Sequence, residues 1–270
     1  MVFAANATEP EKDLTRAMDE QHKTCLEQIS QDADMAYENA MIWRGDGGGR
    51  RARHCEAMAL FALGHKEEAA HRLDQLGAMV GQLSPQMRKN YFLEAANFWL
   101  MANETQQAYE SASNGLEIDQ KDVGLRIARA RVYALLNRYK DSEVDLTSAL
   151  VFEPDNVDAL RYRADARHKL GKLDLAKIDI DRAMSSSPTV ETALIRGHIV
   201  EALRVKRETE KTAGPVEQIS DNPAIDINNH IGSTPTLTGH EFLSVVPDGE
   251  TETIGTIKDN LIVPDFTEDD

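Results

Sequence analysis

An all-α chain, built as a stack of helical hairpins, is what the sequence predicts, and three observations carry that prediction. Small residues recur every 34 positions. Within each unit, small and apolar side chains recur at three and four, the period of a helix with one buried stripe. Gly, Asn and Pro stand where those helices turn or stop. The small series are Ala96, Ala130, Ala164, then Ala108, Ser142, Ala176, then Gly115, Ala149, Ala183. Large residues keep step as Trp99, Tyr133, Arg167 and as Leu116, Leu150, Met184. Asn103, Asn137 and Gly171 mark turns, and Gln120, Pro154 and Pro188 mark helix ends. Only Gln120 and Arg167 depart visibly in type.

Taken in order, residues 1–10 contain Val2-Phe3-Ala4-Ala5-Asn6-Ala7. This string reads either as the remnant of an export signal, with Ala5-Asn6-Ala7 as the cleavage site, or as an Ala-rich start. A helical pair with poor agreement to the repeat occupies 11–44. A degenerate repeat follows over 50–88, with Ala57, Leu60, Gly64, Ala69 and Leu73 in register. It is 39 residues long, and the extra five are expected within 81–85. Clear repeats then run without a gap over 89–122, 123–156 and 157–190. In the last of these, 157–170 forms a first helix, Gly171 allows the backbone to turn, and 173–184 forms a second helix that Pro188 ends. Ala164, Ala176 and Ala183 are small because helices approach closely there. An end helix over 191–207 closes the stack with a solvated face.

Beyond it, 208–270 holds 14 Asp and Glu against Lys211 and Lys258, a net of −12 within the chain's total of −16. Five of the nine prolines lie here, and low hydrophobicity with one-sign charge predicts a mostly disordered acidic tail. Three short apolar runs interrupt it: Phe242-Leu243-Ser244-Val245-Val246, Ile254-Gly255-Thr256-Ile257 and Leu261-Ile262-Val263. They read either as linker composition or as a docking strand. The acidity argues against nucleic acid or an anionic membrane as partner, since both require clustered Lys and Arg. No apolar run is long enough to span a membrane.

These residues resemble the tetratricopeptide repeats. Ala164, Gly171, Ala176, Ile180, Ala183 and Pro188 all match the family pattern, and the resemblance covers roughly residues 11–207. It implies a right-handed superhelical solenoid whose first helices line a concave groove. By that resemblance the groove is lined by Asn90, Leu93, Asn97, Leu100 and Met101, then Ile127, Arg131, Ala134 and Leu135, then Arg161, Asp165, His168 and Lys169. Such a surface, apolar at one end and of mixed charge at the other, suits a protein or peptide partner with an apolar segment leading into a charged one. Some family members clamp a C-terminal carboxylate. Of the residues for that mode only Asn97 fits, while Leu93, Ala128, Asp158 and Tyr162 replace the rest, which excludes it. The family shares an architecture, not a reaction.

The chemistry-bearing residues weigh the same way. Arg129 and Asp145 are 16 apart, as are Arg163 and Asp179, so each pair bridges its own hairpin. The alternative is an anion cluster with Arg126, Arg131, Arg161 and Arg167. Gly45-Asp46-Gly47-Gly48-Gly49-Arg50-Arg51 reads as a flexible turn, since it lacks the ending of a phosphate-binding loop. Cys25 and Cys55 stand open between two readings, small core residues or a disulfide across neighbouring first helices. His54 beside Cys55 finds no third or fourth ligand, and His22, His65 and His71 fall on different helical phases, so no metal is expected. No hydrolase, zinc-protease or dinucleotide motif occurs, so neither a catalytic residue nor a cofactor is expected. The resulting expectation is a non-enzymatic adaptor in an envelope complex, periplasmic or secreted, or alternatively cytoplasmic. A homo-oligomer in which the tail or end helix fills another copy's groove is the competing expectation.

Overall fold

The computed structural model describes residues 9–212. They form eleven helices and no strand: α1 (Glu9–Ile29), α2 (Ala33–Gly45), α3 (Gly49–Ala62), α4 (Lys66–Gly77), α5 (Pro85–Met101), α6 (Thr105–Ile118), α7 (Val123–Leu135), α8 (Tyr139–Phe152), α9 (Val157–Lys169), α10 (Leu173–Ser186) and α11 (Val190–Thr212). Most of residues 1–10 and the three apolar runs of the tail lie outside the described residues. None of the described helices is long and apolar enough to cross a membrane.

The hairpin turns follow one design. Gly64, Asn103, Asn137 and Gly171 all take positive φ, at 90°, 64°, 58° and 72°. This left-handed step lets the next amide reach back over the helix end. His65 N–H donates to the Leu60 carbonyl at 2.9 Å, Glu104 to Trp99 at 2.9 Å, Arg138 to Tyr133 at 2.8 Å and Lys172 to Arg167 at 2.8 Å. Carbonyls that would be orphaned are thereby satisfied. The first helices α7 and α9 begin differently, on a side-chain cap. Asp122 Oδ1 accepts from Leu125 N–H at 2.8 Å, and Asn156 Oδ1 accepts from Ala159 N–H at 2.9 Å.

Packing explains the small series. Ala96, Ala130 and Ala164 are fully buried, as are Ala108, Ala176, Ala149 and Ala183. At Gly115 even a methyl group is too much, because a Cβ would stand 2.6 Å from Leu125 Cδ2. One apolar cluster runs from Ala57 and Leu73 through Tyr91, Phe98 and Trp99 to Val132. A second runs from Val123 and Leu146 through Leu160 and Ile180 to Ile199 and Leu203 of α11. Each cluster crosses repeat boundaries, so a single hairpin is never the unit of burial.

Two boundaries differ from the sequence reading. The surplus of the 50–88 repeat does not all sit in a loop: α5 has 17 residues against 13 for α7 and α9. Ser84 caps it, accepting from Met87 N–H at 3.3 Å, and Pro85 stands in its first turn. A local start signal there overrides the 34-residue register. At the other end α11 continues through 208–212, which the charge count assigned to the tail. Arg204 bonds Glu208 at 2.6 Å and Glu201 at 2.7 Å, and Lys206 stands 4.0 Å from Glu210. Acid at these spacings supports a helix when base lies one turn away.

Charge inside the stack is paired. Arg129 Nε and Nη2 donate to Asp145 at 2.7 and 2.9 Å, and Arg163 Nε and Nη2 donate to Asp179 at 2.8 Å each. Both carboxylates are buried. Arg126 adds to Asp145 at 3.3 Å, and Arg167 adds to Asp179 at 2.7 Å and to Glu143 at 2.9 Å. Those two arginines are therefore committed to the framework and do not join Arg131 and Arg161 in an anion cluster. Asp74 accepts from Trp99 Nε1–H at 2.6 Å and from Ser111 Oγ–H at 2.7 Å. Burial nonetheless pushes its pKa up, with those two bonds opposing.

Candidate interaction groove

First helices lie side by side, α1 with α3, α5 with α7 and α7 with α9. Each second helix fills the angle behind, α6 between α5 and α7, α8 between α7 and α9. One face of α5, α7 and α9 is thus left to line a groove, and residues one repeat apart become neighbours across it.

Asn97 and Arg131 are such neighbours. Asn97 Nδ2 donates to the Leu93 carbonyl in its own helix at 3.0 Å, which fixes the amide. Its Oδ1 then accepts from Arg131 Nη1 at 3.0 Å. The Arg131 guanidinium lies 5.6 Å from the Tyr162 ring centre, and Arg161 lies 4.5 Å from the same ring. Arg161 Nη2 also donates to Asp158 Oδ1 at 2.8 Å. An amide, a guanidinium, a ring and a second guanidinium therefore form one polar ladder across three helices. Leu93 and Leu100 pack on the cluster around Leu125 and Ala128, and Ile127 packs on the cluster around Leu160. All three keep part of their surface in the groove.

The remaining groove residues stand apart from the ladder. Asn90 is exposed and bonded within α5, accepting from Gln86 Nε2 at 3.2 Å. Asp165 and His168 sit at the α9 end, each partly exposed. Burial pushes the His168 pKa down, Asp165 opposes this, and Lys169 and His198 add to it.

Two features escape the sequence reading. Tyr162, treated there only as a departure from the carboxylate clamp, is the platform on which both arginines rest. His22 and His54, set apart by helical phase, are bonded: His22 Nε2 and His54 Nδ1 lie 2.9 Å apart. Phase compares residues within one helix, whereas these two meet because α1 lies beside α3. His54 Nε2 also stands 2.8 Å from Glu94 Oε2, which carries the chain of contacts on to α5. Burial lowers the His22 pKa to about 4, with the charges of His54, Arg50 and Arg51 adding to the effect. The register held the signal, since Arg51, His54, Met58 and Phe61 occupy in α3 the places that Asn90, Leu93, Asn97 and Leu100 occupy in α5.

Beside this network Cys25 and Cys55 are joined by a disulfide, with Cα atoms 6.2 Å apart. The bond ties α1 to α3 over a small core of Ala40, Leu26 and Ile29. The Gly45–Arg51 string spans the end of α2, a tight turn at 46–48 and the first turn of α3. Gly48 closes on Trp43, where a Cβ would stand 2.7 Å from the indole, and Arg51 is drawn to Asp19. Among the described residues no cluster of His, Cys, Asp or Glu could hold a metal ion.

No family model matches the sequence. Among solved structures the chain is similar to MamA at 12% identity and a TM-score of 0.51, over 62% of this chain and 91% of that one. It is also similar to a thermophilic TPR protein of Thermus thermophilus, at 19% identity and a TM-score of 0.49, over 68% and 99% of the two chains. The first TPR domain of human RPAP3 aligns at 25% identity and a TM-score of 0.44, over 47% and 99%. The likeness to MamA speaks for the fold alone. Together with the 34-residue register of 89–190 and the repeated left-handed turns, it gives the described residues the fold of a stack of helical hairpins, like that of tetratricopeptide-repeat proteins.

Proposed function

We propose that the chain is a non-enzymatic adaptor that holds a segment of a protein partner against α5, α7 and α9. The ladder from Asn97 through Arg131 and Tyr162 to Arg161 carries this reading. Arg131 has a neutral amide and a ring for neighbours, and among the described residues no carboxylate stands within ion-pair distance of it. A half-buried guanidinium of that kind favours an incoming carboxylate, and its planar fork orients it. Leu93, Leu100 and Ile127 supply the apolar part of the contact. The partner segment is therefore apolar where it meets these three and acidic where it meets Arg131 and Arg161. The triple variant Asn97→Ala, Arg131→Glu, Arg161→Glu is expected to lose the proteins that co-purify with the full chain from its native cell. An unchanged set would reject the groove.

The adaptor is assigned to an oxidising compartment, as part of an envelope assembly, because the Cys25–Cys55 bond suits such surroundings. Thiol trapping in intact cells tests this, and free Cys25 and Cys55 in the native cell would oppose it. A second reading, self-assembly, draws on α11. Leu194 holds the register place of the fully buried Leu160, yet it is 58% exposed. A second copy would cover it. Light scattering over a range of concentrations decides, since a constant monomer mass excludes this reading.

A further inference from the structure

We infer that Arg44, Arg53 and Arg72 form a binding site for a tetrahedral oxyanion, a phosphoryl or sulfate group. The three arginines line a cavity of about 410 Å³, together with Glu56, Gln75 and Leu76. They come from successive helices, α2, α3 and α4, so the fold and not the sequence gathers them.

Glu56 organises the site. Its side chain is 1% exposed and accepts from Arg72 Nη1 through one oxygen, while Arg44 Nη1 lies 3.2 Å from the other. The buried carboxylate thereby fixes Arg72 by a hydrogen bond and keeps Arg44 within ion-pair distance, although no hydrogen bond reaches its second oxygen. Arg72 is held further by Glu68, which accepts from its Nε at 2.8 Å. Burial works against the Arg72 charge, but Glu68 and Glu56 outweigh it and its pKa is raised. Arg53 is differently placed. Its Nη1 meets only the Met79 sulfur, at 4.0 Å, and among the described residues no carboxylate stands within ion-pair distance.

Three guanidinium groups against Glu56 and Glu68 leave a formal charge of +1 around the cavity, on a chain whose total is −16. A framework purpose accounts for Arg72 and Arg44, which neutralise Glu56. It does not account for Arg53, nor for the N–H donors that Arg44 and Arg72 keep unused. The Arg72 fork, fixed in advance by Glu56 and Glu68, matches the oxygens of a phosphoryl group at little cost in side-chain entropy, and Arg44 and the exposed Arg53 close on it from the neighbouring helices. No residue of the groove on α5, α7 and α9 takes part, so this site and the adaptor reading stand or fall separately.

The test is calorimetric titration of the full chain with inorganic phosphate and, separately, with an N-acetyl phosphoserine amide, at ionic strength held constant with chloride. Saturable binding of at least one probe is expected, weakened tenfold or more by Arg53→Glu and by Arg53→Ala. Arg131→Glu, in the groove, should leave it unchanged. Tighter binding of the phosphoserine compound would identify a phosphorylated partner as the source, and tighter binding of phosphate the free ion. Heats that matched chloride reproduces, or equal titrations for wild type and both Arg53 variants in chains of native helix content, would overturn the site.

Discussion

Asp179 carries two arginines on one buried carboxylate, and it shows where a charge matters in this chain. Taking Asp179 to Asn leaves Arg163 and Arg167, each more than four-fifths buried, without their shared partner. Removing one side of a buried pair costs about 3 kcal/mol. Asp179→Asn should therefore lower the urea midpoint clearly, while Asp155→Asn, on an 84% exposed carboxylate, should leave it unmoved. His22 sets a pH dependence of its own. Its folded pKa of about 4 lies below the ordinary 6.5, so the fold keeps it neutral while the unfolded chain takes up a proton. Stability is unaffected above that ordinary value and falls as pH drops towards the lower one. The loss is on the order of 2 kcal/mol after allowance for partial exposure. Urea titrations at pH 7 and 4.5 should show a smaller acid-side loss in His22→Gln than in wild type. No sign of this was visible in the sequence, because a pKa depends on neighbours contributed by other helices.

Among the elements, the hairpins of 89–190 were the most legible part. Asn103, Asn137 and Gly171 announced the turns, and the Ala series announced close helix contacts. Both signals are local and both recur. The extra turn of α5 was masked for a related reason: reading by register discounts a start signal, Ser84-Pro85, that falls outside it. The groove was legible only in outline, since the repeat pattern names the faces of helices and not which side chains on them will touch. Asn97 and Arg131 fall at equivalent places and meet, whereas Tyr162 comes from a place the pattern left out. Ala164→Leu tests the packing rule. Ala164 is fully buried between α9 and its neighbours, and a larger side chain there should cost about 1–3 kcal/mol. Thermal unfolding would register that as a lower midpoint, with Lys169→Leu on the exposed face as the unaffected control.

For the whole solenoid, stability is a sum of unit and interface terms along a line, so damage at one end need not reach the other. The Cys25–Cys55 bond closes a 30-residue loop and contributes about 3.5 kcal/mol in the chain-entropy account. That contribution belongs to α1, α2 and α3. Reduction should therefore raise amide hydrogen exchange in α1 and α2, while α7 to α10 keep their protection. Uniform loss along the stack would show that the repeats unfold as one.

Asp122 and Asn156 close successive joints with the same cap and the same onward turn of chain. A joint used twice is interchangeable: a duplicate of 123–156 spliced after Asn156 would start on the same kind of cap and meet 157–190 at its far seam as its original does. Gene duplication can therefore lengthen this molecule one module at a time, adding reach on the partner side without redesigning what came before.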